Sequence, residues 1–259
     1  MANYSSYRQV PRDQIPTGTV TNAKLSNDAR HCFCTKWIYG DPGQCTPGCC
    51  CLWTAPTGVR RVFWEAWGAG GNGHGFCSCD RCHHYVGAGG GYYNTKMIST
   101  TEGCQYTVCA GGTFRCLSNE CTGCNGCTSY VNGYNLSNFC AIGGRTGIAN
   151  TDWANPCFSE WSCCLGPVSN GGDFGMGNHI GAWSGPFNCH CQCQFTQPTA
   201  APFLGGQVEQ HMQVCWSRCA CWTVPYGHGA QGGMSAYCGS GCCGQGGTGG
   251  SGIVKITYM

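Results

Sequence analysis

The sequence predicts an all-β protein, a small β-sandwich-like framework with long Gly-rich, disulfide-stapled loops and very little helix. Two observations carry that expectation. Strand-like runs with apolar residues at alternate positions are separated by Gly-rich segments, and nowhere does an apolar period of 3.6 persist for a helix's length. The second is compositional. The chain has 44 Gly and 28 Cys among 259 residues, while Leu, Ile, Val and Phe together make up only about 14% of it, too little for a conventional aliphatic core. Disorder is the poorer reading, because the formal charge is +2 and the chain carries 9 Trp, 12 Tyr and 10 Phe.

The elements follow in chain order. Residues 1–31 read as an N-terminal arm or attachment segment, since the polar run QVPRDQIPTGTVTNAKLSNDA differs sharply from everything after Cys32. Residues 32–259 form a Cys- and Gly-rich β domain. Its strand candidates are 59–67 (VRRVFWEAW), 91–99, 106–109, 208–216, 219–224 and 253–258. In the stretch 208–224, Val208, Met212, Val214, Trp216, Ala220, Trp222 and Val224 all fall on even positions, which suits a strand. At the C-terminus Val254, Ile256 and Tyr258 share one face, with Lys255 and Thr257 opposite, as in a half-buried strand. A section of about 113–230, rich in Asn, Cys, Trp and Gly, reads as a long loop-rich insert and the natural place for variable surface.

All cysteines are disulfide candidates. Several come as Cys-x-Cys (Cys32 and Cys34, Cys77 and Cys79, Cys189, Cys191 and Cys193, Cys219 and Cys221) or as neighbours (Cys49, Cys50 and Cys51, Cys163 and Cys164, Cys242 and Cys243). The others are Cys45, Cys82, Cys104, Cys109, Cys116, Cys121, Cys124, Cys127, Cys140, Cys157, Cys215 and Cys238. Positions i and i+2 of a strand lie near the upper limit of bridging distance, so such pairs are expected to reach other segments rather than each other. Each bridge contributes roughly 2–4 kcal/mol by restricting the unfolded chain, against a cost of about 0.5–1 kcal/mol for each ordered Gly.

Charge excludes some functions. With 13 basic and 11 acidic residues and no basic run, the chain lacks the clustered cationic surface that nucleic acid requires. No stretch approaches the roughly 18 apolar residues of a membrane span, and the first twenty lack the apolar segment of a signal peptide, so a soluble chain not exported by the usual route is expected.

Among the motifs, Gly68-Ala-Gly-Gly-Asn-Gly73 matches GxGxxG after a strand, but GHGFCSCDRCHH beyond it does not open a helix and no βαβ alternation appears, which argues against a dinucleotide site. Cys79-Asp-Arg-Cys82-His83 is a literal CxxCH, the haem attachment pattern. Cys77, Cys79, Cys82 and His83 form an alternative zinc set, and neither group is favoured over disulfides and no cofactor. GxSxG, P-loop and HExxH patterns are absent, and no enzyme activity is expected.

Four blocks in order carry a resemblance. They are PTGVRRVFWEAWGAGG at 56–71, GAGGGYY at 87–93, YTVCAGG at 106–112 and GGSGIVKITY at 249–258. Together they resemble the glycine-rich terminal domains of bacteriophage tail fibres, over about 52–112 and 244–259. Separately, IPTGTVTNAKLSNDA at 15–29 looks like the GTVTxAKLxxDA segments of phage fibre stems. The cysteine density departs from that family's usual pattern.

The resemblance implies a virion structural protein, a fibre or fibre tip mediating host attachment. It implies a homotrimer bound to other virion proteins through its N-terminal segment, made in the host cytoplasm and released by lysis, without nucleic-acid or membrane insertion. Gly-rich runs packed side by side in polyproline-II-like form suit such a platform, because only Gly allows that approach. Trp153, Trp161, Trp183 and Phe187, flanked by Asn and Gly, are the candidate receptor-binding residues for a host glycan or protein. A capsid or tail decoration protein, and a metal or haem protein, are the alternatives.

Overall fold

In Arg61–Trp67 the even side chains Val62, Trp64 and Ala66 are buried in the core, while the odd ones point the other way. A two-residue period is what a strand in a two-layer protein requires. The computed structural model describes residues 33–41, 49–72, 76–78, 84–85, 88–113, 124–146, 149–150, 169–177, 183–184, 194–196, 202–204, 211–212, 226–228, 242–244 and 248–259.

The strands are β1 (Cys34–Tyr39), β2 (Cys50–Thr54), β3 (Arg61–Trp67), β4 (Phe76–Ser78), β5 (His84–Tyr85), β6 (Tyr93–Ser99), β7 (Gln105–Cys109), β8 (Ser129–Gly133) and β9 (Leu136–Ala141). After them come β10 (Ala149–Asn150), β11 (Ser169–Asn170), β12 (Phe174–Met176), β13 (Trp183–Ser184), β14 (Gln194–Thr196), β15 (His211–Met212), β16 (Cys242–Gly244) and β17 (Ile253–Tyr258). No helix occurs among the described residues.

Two antiparallel five-stranded sheets form the framework. The first has the order β1-β17-β3-β6-β12 and the second β11-β9-β8-β7-β2. Val62, Trp64, Ile98, Val254 and Ile256 from the first meet Trp53, Tyr106, Val108, Val131 and Phe139 from the second in one core. The expected sandwich is present, and its aliphatic poverty is made up by rings. Trp64 lies edge-on to Trp53 at 5.4 Å, and both touch Tyr106. The Tyr106 hydroxyl meets Thr100 Oγ1 at 2.6 Å, so its one polar atom is satisfied inside the core.

Four of the expected strand runs are framework strands: β3, β6, β7 and β17. Of 208–216 the described part is β15, and 219–224 lies outside the described residues. Within the section of about 113–230, expected as a loop-rich insert, β8 and β9 form a hairpin at the centre of the second sheet. Its turn is Tyr134-Asn135, with Asn135 at φ 54°, and a register shift beyond it puts Asn138 at φ 57°. Asn tolerates that left-handed region better than most residues. The Asn138 N–H donates to Asn132 Oδ1, which fixes the bulge.

At one end of the sandwich the strands run out into glycine segments that pack against one another. Successive N–H groups after β3 donate in rotation: Gly68 to Tyr92 O, Ala69 to Cys127 O, Gly70 to Gly250 O, Gly71 to Gly89 O and Asn72 to Cys124 O. The partners therefore repeat every third residue among three neighbouring segments. That is the pattern of a helix with three residues per turn and no internal hydrogen bonds, the polyproline-II geometry. Residues 89–92 follow the same rule, with Gly89 and Tyr92 donating to Arg145 and Ile142 and Gly91 to Gly227. Two side chains complete the bundle where backbone does not reach. Asn72 Oδ1 accepts from Gly249 N–H, and Ser129 Oγ accepts from Gly111 N–H and donates to Trp67 O.

The bundle requires glycine sterically. A Cβ on Gly143 would fall on the carbonyl oxygen of Gly126, and one on Gly91 would fall on that of Gly68. Backbone cannot yield there without breaking its hydrogen bonds. Gly143→Ala is expected to lower stability by about 3 kcal/mol or more. Gly58→Ala, at φ 84° with open space around it, is expected to cost about 1–2 kcal/mol from the left-handed backbone alone. Thermal denaturation of the two variants checks this order.

Candidate functional site

Most of the residues singled out in the sequence lie outside the described residues: Trp153, Trp161 and Phe187, and Cys79, Cys82 and His83 of the metal set. Trp183 is register partner to Thr196 between β13 and β14, and Cys77 to Cys243 between β4 and β16. Among the described residues no group of three metal-ligating side chains comes together. The GxGxxG run has a clear assignment. Its N–H groups from Gly68 to Asn72 are all taken by backbone carbonyls, so none of these five is left to cradle a phosphate; Gly73 lies outside the described residues.

The cysteines divide. Cys50 and Cys109 are bonded across β2 and β7, where they face each other with Cα atoms 4.1 Å apart. The narrow, non-hydrogen-bonded antiparallel pair brings two sulfurs within reach. Cys34, Cys49, Cys51, Cys104 and Cys140, expected as bridge formers, are unbridged. The register gives a reason for three of them: Cys34 faces Tyr258, Cys51 faces Val108 and Cys140 faces Tyr130, so no second sulfur stands opposite. Of the Cys49, Cys50 and Cys51 run, only the middle residue staples another segment.

Replacing both Cys50 and Cys109 by Ser is expected to cost about 4 kcal/mol, the loop entropy of a crosslink spanning 59 residues. Chemical denaturation measures it.

Two of the thiols differ in acidity. Hydrogen bonding from Thr101, whose Oγ1 lies 3.1 Å from Cys104 Sγ, holds the Cys104 thiol below the ordinary range, whereas burial pushes Cys51 up. Because the thiolate is the nucleophile, iodoacetamide near neutral pH is expected to label Cys104 before Cys51. Peptide mass spectrometry over a time course reads the order.

A feature the sequence did not reveal is the outer face of the first sheet. Cross-strand register sets two adjacent rows over its five strands. One is Trp37, Lys255, Glu65, Thr95 and Phe174; the other is Tyr39, Ile253, Trp67, Tyr93 and Met176. The rings form a chain of contacts. Tyr226 meets Tyr39 at 5.1 Å, Tyr39 lies parallel to Trp37, Trp37 stacks on Trp67 at 6.2 Å, and Trp67 meets Tyr93 at 4.8 Å. Tyr93 in turn touches Phe203 and Phe174.

The middle of this face is closed and its two sides are open. Trp67 and Tyr93 are buried with Ile253 under Leu204, and Trp67 Nε1–H donates to Pro202 O at 2.6 Å. On one side Trp37, Tyr39 and Tyr226 are exposed, and on the other Phe174, Met176 and Phe203. Phe203 is 68% exposed and sits at φ 62°, a strained conformation for a bulky residue.

Polar groups run through the same face. Lys255 Nζ is 2.6 Å from Glu65 Oε2 and 5.3 Å from the Trp37 ring centroid, and Tyr93 OH donates to Glu65 Oε1 at 2.8 Å. Burial first, and that hydrogen bond second, hold the Tyr93 phenol protonated far above its ordinary range. At the β12 edge, Asp173 accepts from Met97 N–H at 3.0 Å and pairs with Lys96, which lowers its pKa and anchors the strand.

Trp37 and Tyr39, two apart on one strand, are the local signal of a shared face. Its other members come from segments far apart in the sequence. No family model matches the chain, and a search of curated proteins finds no match.

Proposed function

We propose that the protein is a structural component of a bacteriophage particle, a fibre or fibre tip that attaches to the host surface. The glycine bundle is the observation that carries this reading. It draws together the glycine runs near 68–72, 88–92, 110–113 and 248–252, which include the blocks that resemble phage tail-fibre terminal domains. It also sits at the end of the sandwich from which the long Cys-, Trp- and Asn-rich segments depart. A bundle held mainly by backbone hydrogen bonds, with a few side chains such as Asn72, Ser129 and Thr146 entering it, leaves most of the chain between its runs free to change. An attachment protein that meets changing receptors needs that separation of frame and surface.

The N-terminal segment at 15–29 is the proposed link to the particle, and a homotrimer is the proposed assembly. Neither role calls for a cofactor or a catalytic group.

Antiserum raised against the purified chain is expected to label fibre tips of the encoding phage in immunogold electron microscopy. The purified chain in excess is expected to slow adsorption of those particles to their host. Label spread over the capsid with no effect on adsorption would favour a decoration protein and overturn the attachment reading.

A further inference from the structure

The outer face of the first sheet carries an inference of its own. We propose that its open side, formed by Trp37, Tyr39 and Tyr226 with the Lys255–Glu65 pair beside them, is a subsite for a neutral pyranose sugar of a polysaccharide. This deepens the attachment reading by assigning a sugar-binding surface to the framework rather than to the loops, and its test is separate from that of particle location.

Ring geometry is the first argument. Trp37 and Tyr39 point the same way from β1, with their planes 11° apart and centroids 6.5 Å apart. They are 41% and 47% exposed, so each presents ring surface to solvent. Tyr226, tilted 43° to Tyr39, stands at the end of the row as a wall. A pyranose has an apolar C–H face and a rim of hydroxyls, so it takes a flat aromatic floor with hydrogen-bonding groups at the edge.

The rim is the second. Lys255 has three donor hydrogens and its Glu65 contact uses one, while Glu65 is largely enclosed, its oxygens turned to Lys255 and Tyr93. The pair therefore retains donor capacity at Lys255 for sugar hydroxyls. Its charges cancel, which fits a neutral sugar better than an acidic polymer.

Rigidity is the third. Trp37 packs against Trp67 and the Lys255 ammonium while keeping ring surface open, so little side-chain freedom is lost on binding.

Affinity electrophoresis through gels containing hydroxyethylcellulose, galactomannan or dextran, with tryptophan fluorescence titration against the same polymers, tests the proposal. At least one polymer is expected to retard the protein. Trp37→Ala and Tyr39→Ala are each expected to weaken binding about tenfold, with Trp37→Tyr restoring part of it and Leu52→Ala, an exposed position on the second sheet, leaving it unchanged. Both alanine changes are at exposed rings, and circular dichroism checks that the variants are folded.

Retardation by none of the three polymers overturns the proposal. So does binding that survives both alanine changes, or binding lost in Leu52→Ala alone. Sedimentation showing that Trp37→Ala dissociates an oligomer while sugar binding is unchanged overturns it as well, and assigns the face to subunit contact. A chain that binds polysaccharide but is absent from fibres leaves this inference standing and removes the attachment reading. A fibre-located chain that binds none does the reverse.

Discussion

Hydrogen bonds from backbone to backbone, made between glycine runs that lie side by side, are the constraint on which the rest of the molecule depends. A net contribution of about 0.5–1.5 kcal/mol for each bond is of the same size as the 0.5–1 kcal/mol that ordering a Gly in place of Ala costs. Individually the two nearly cancel. What decides the matter is the penalty of about 1–3 kcal/mol for a buried donor left without a partner. Gly68, Ala69, Gly70, Gly71 and Asn72 each donate to a different residue, so losing one neighbouring segment strands donors in several others. The bundle is therefore cooperative, and a single Cβ in it acts on more than one contact.

The same constraint explains the topology. Strands β3, β7 and β9 end at the bundle, while β6, β8 and β17 begin there. Each glycine run thus continues a framework strand. The hydrogen bond from Gly70 to Gly250 ties chain segments remote in sequence at the point where both enter the sandwich. Alternating side chains hold the layers together below, and close backbone contact holds the strand ends together above. Among the described residues Cys50–Cys109 is the one bridge, and Trp53, Trp64, Tyr106 and Phe139 fill the volume that aliphatic side chains fill elsewhere.

How much of this was legible follows from the range of each signal. The strands β3 and β17 are readable because burial on one side writes a two-residue period into the sequence itself. The hairpin β8–β9 was not, although Val131 and Leu136 flank a short polar turn. Its alternation is interrupted at Ser137-Asn138, where the bulge inserts a residue, and composition around it is dominated by Asn and Cys. The bundle was legible in kind, since only dense glycine permits such packing, but the donor rotation depends on neighbours the sequence does not name. The outer aromatic face was hidden for a plainer reason. Trp37, Trp67, Tyr93, Phe174 and Tyr226 are brought into contact by sheet order, and sheet order is a tertiary property.

Aromatic rings serve this protein in two ways, and the distinction lies in what their surroundings consume. Trp64 and Tyr106 face inward and are fully enclosed. On the opposite face Trp67 and Tyr93 are nearly as enclosed, with the indole N–H given to Pro202 and the phenol to Glu65. These four are structural, since their area is buried in the fold and the polar atoms of Tyr106, Trp67 and Tyr93 are engaged in holding it. Trp37, Tyr39 and Tyr226 share the stacking but keep a face open to water. In a chain so short of core-forming side chains, folding favours burying every available ring. Rings left open beside an ion pair are therefore the ones the proposed sugar subsite draws on, whereas the enclosed four serve the fold.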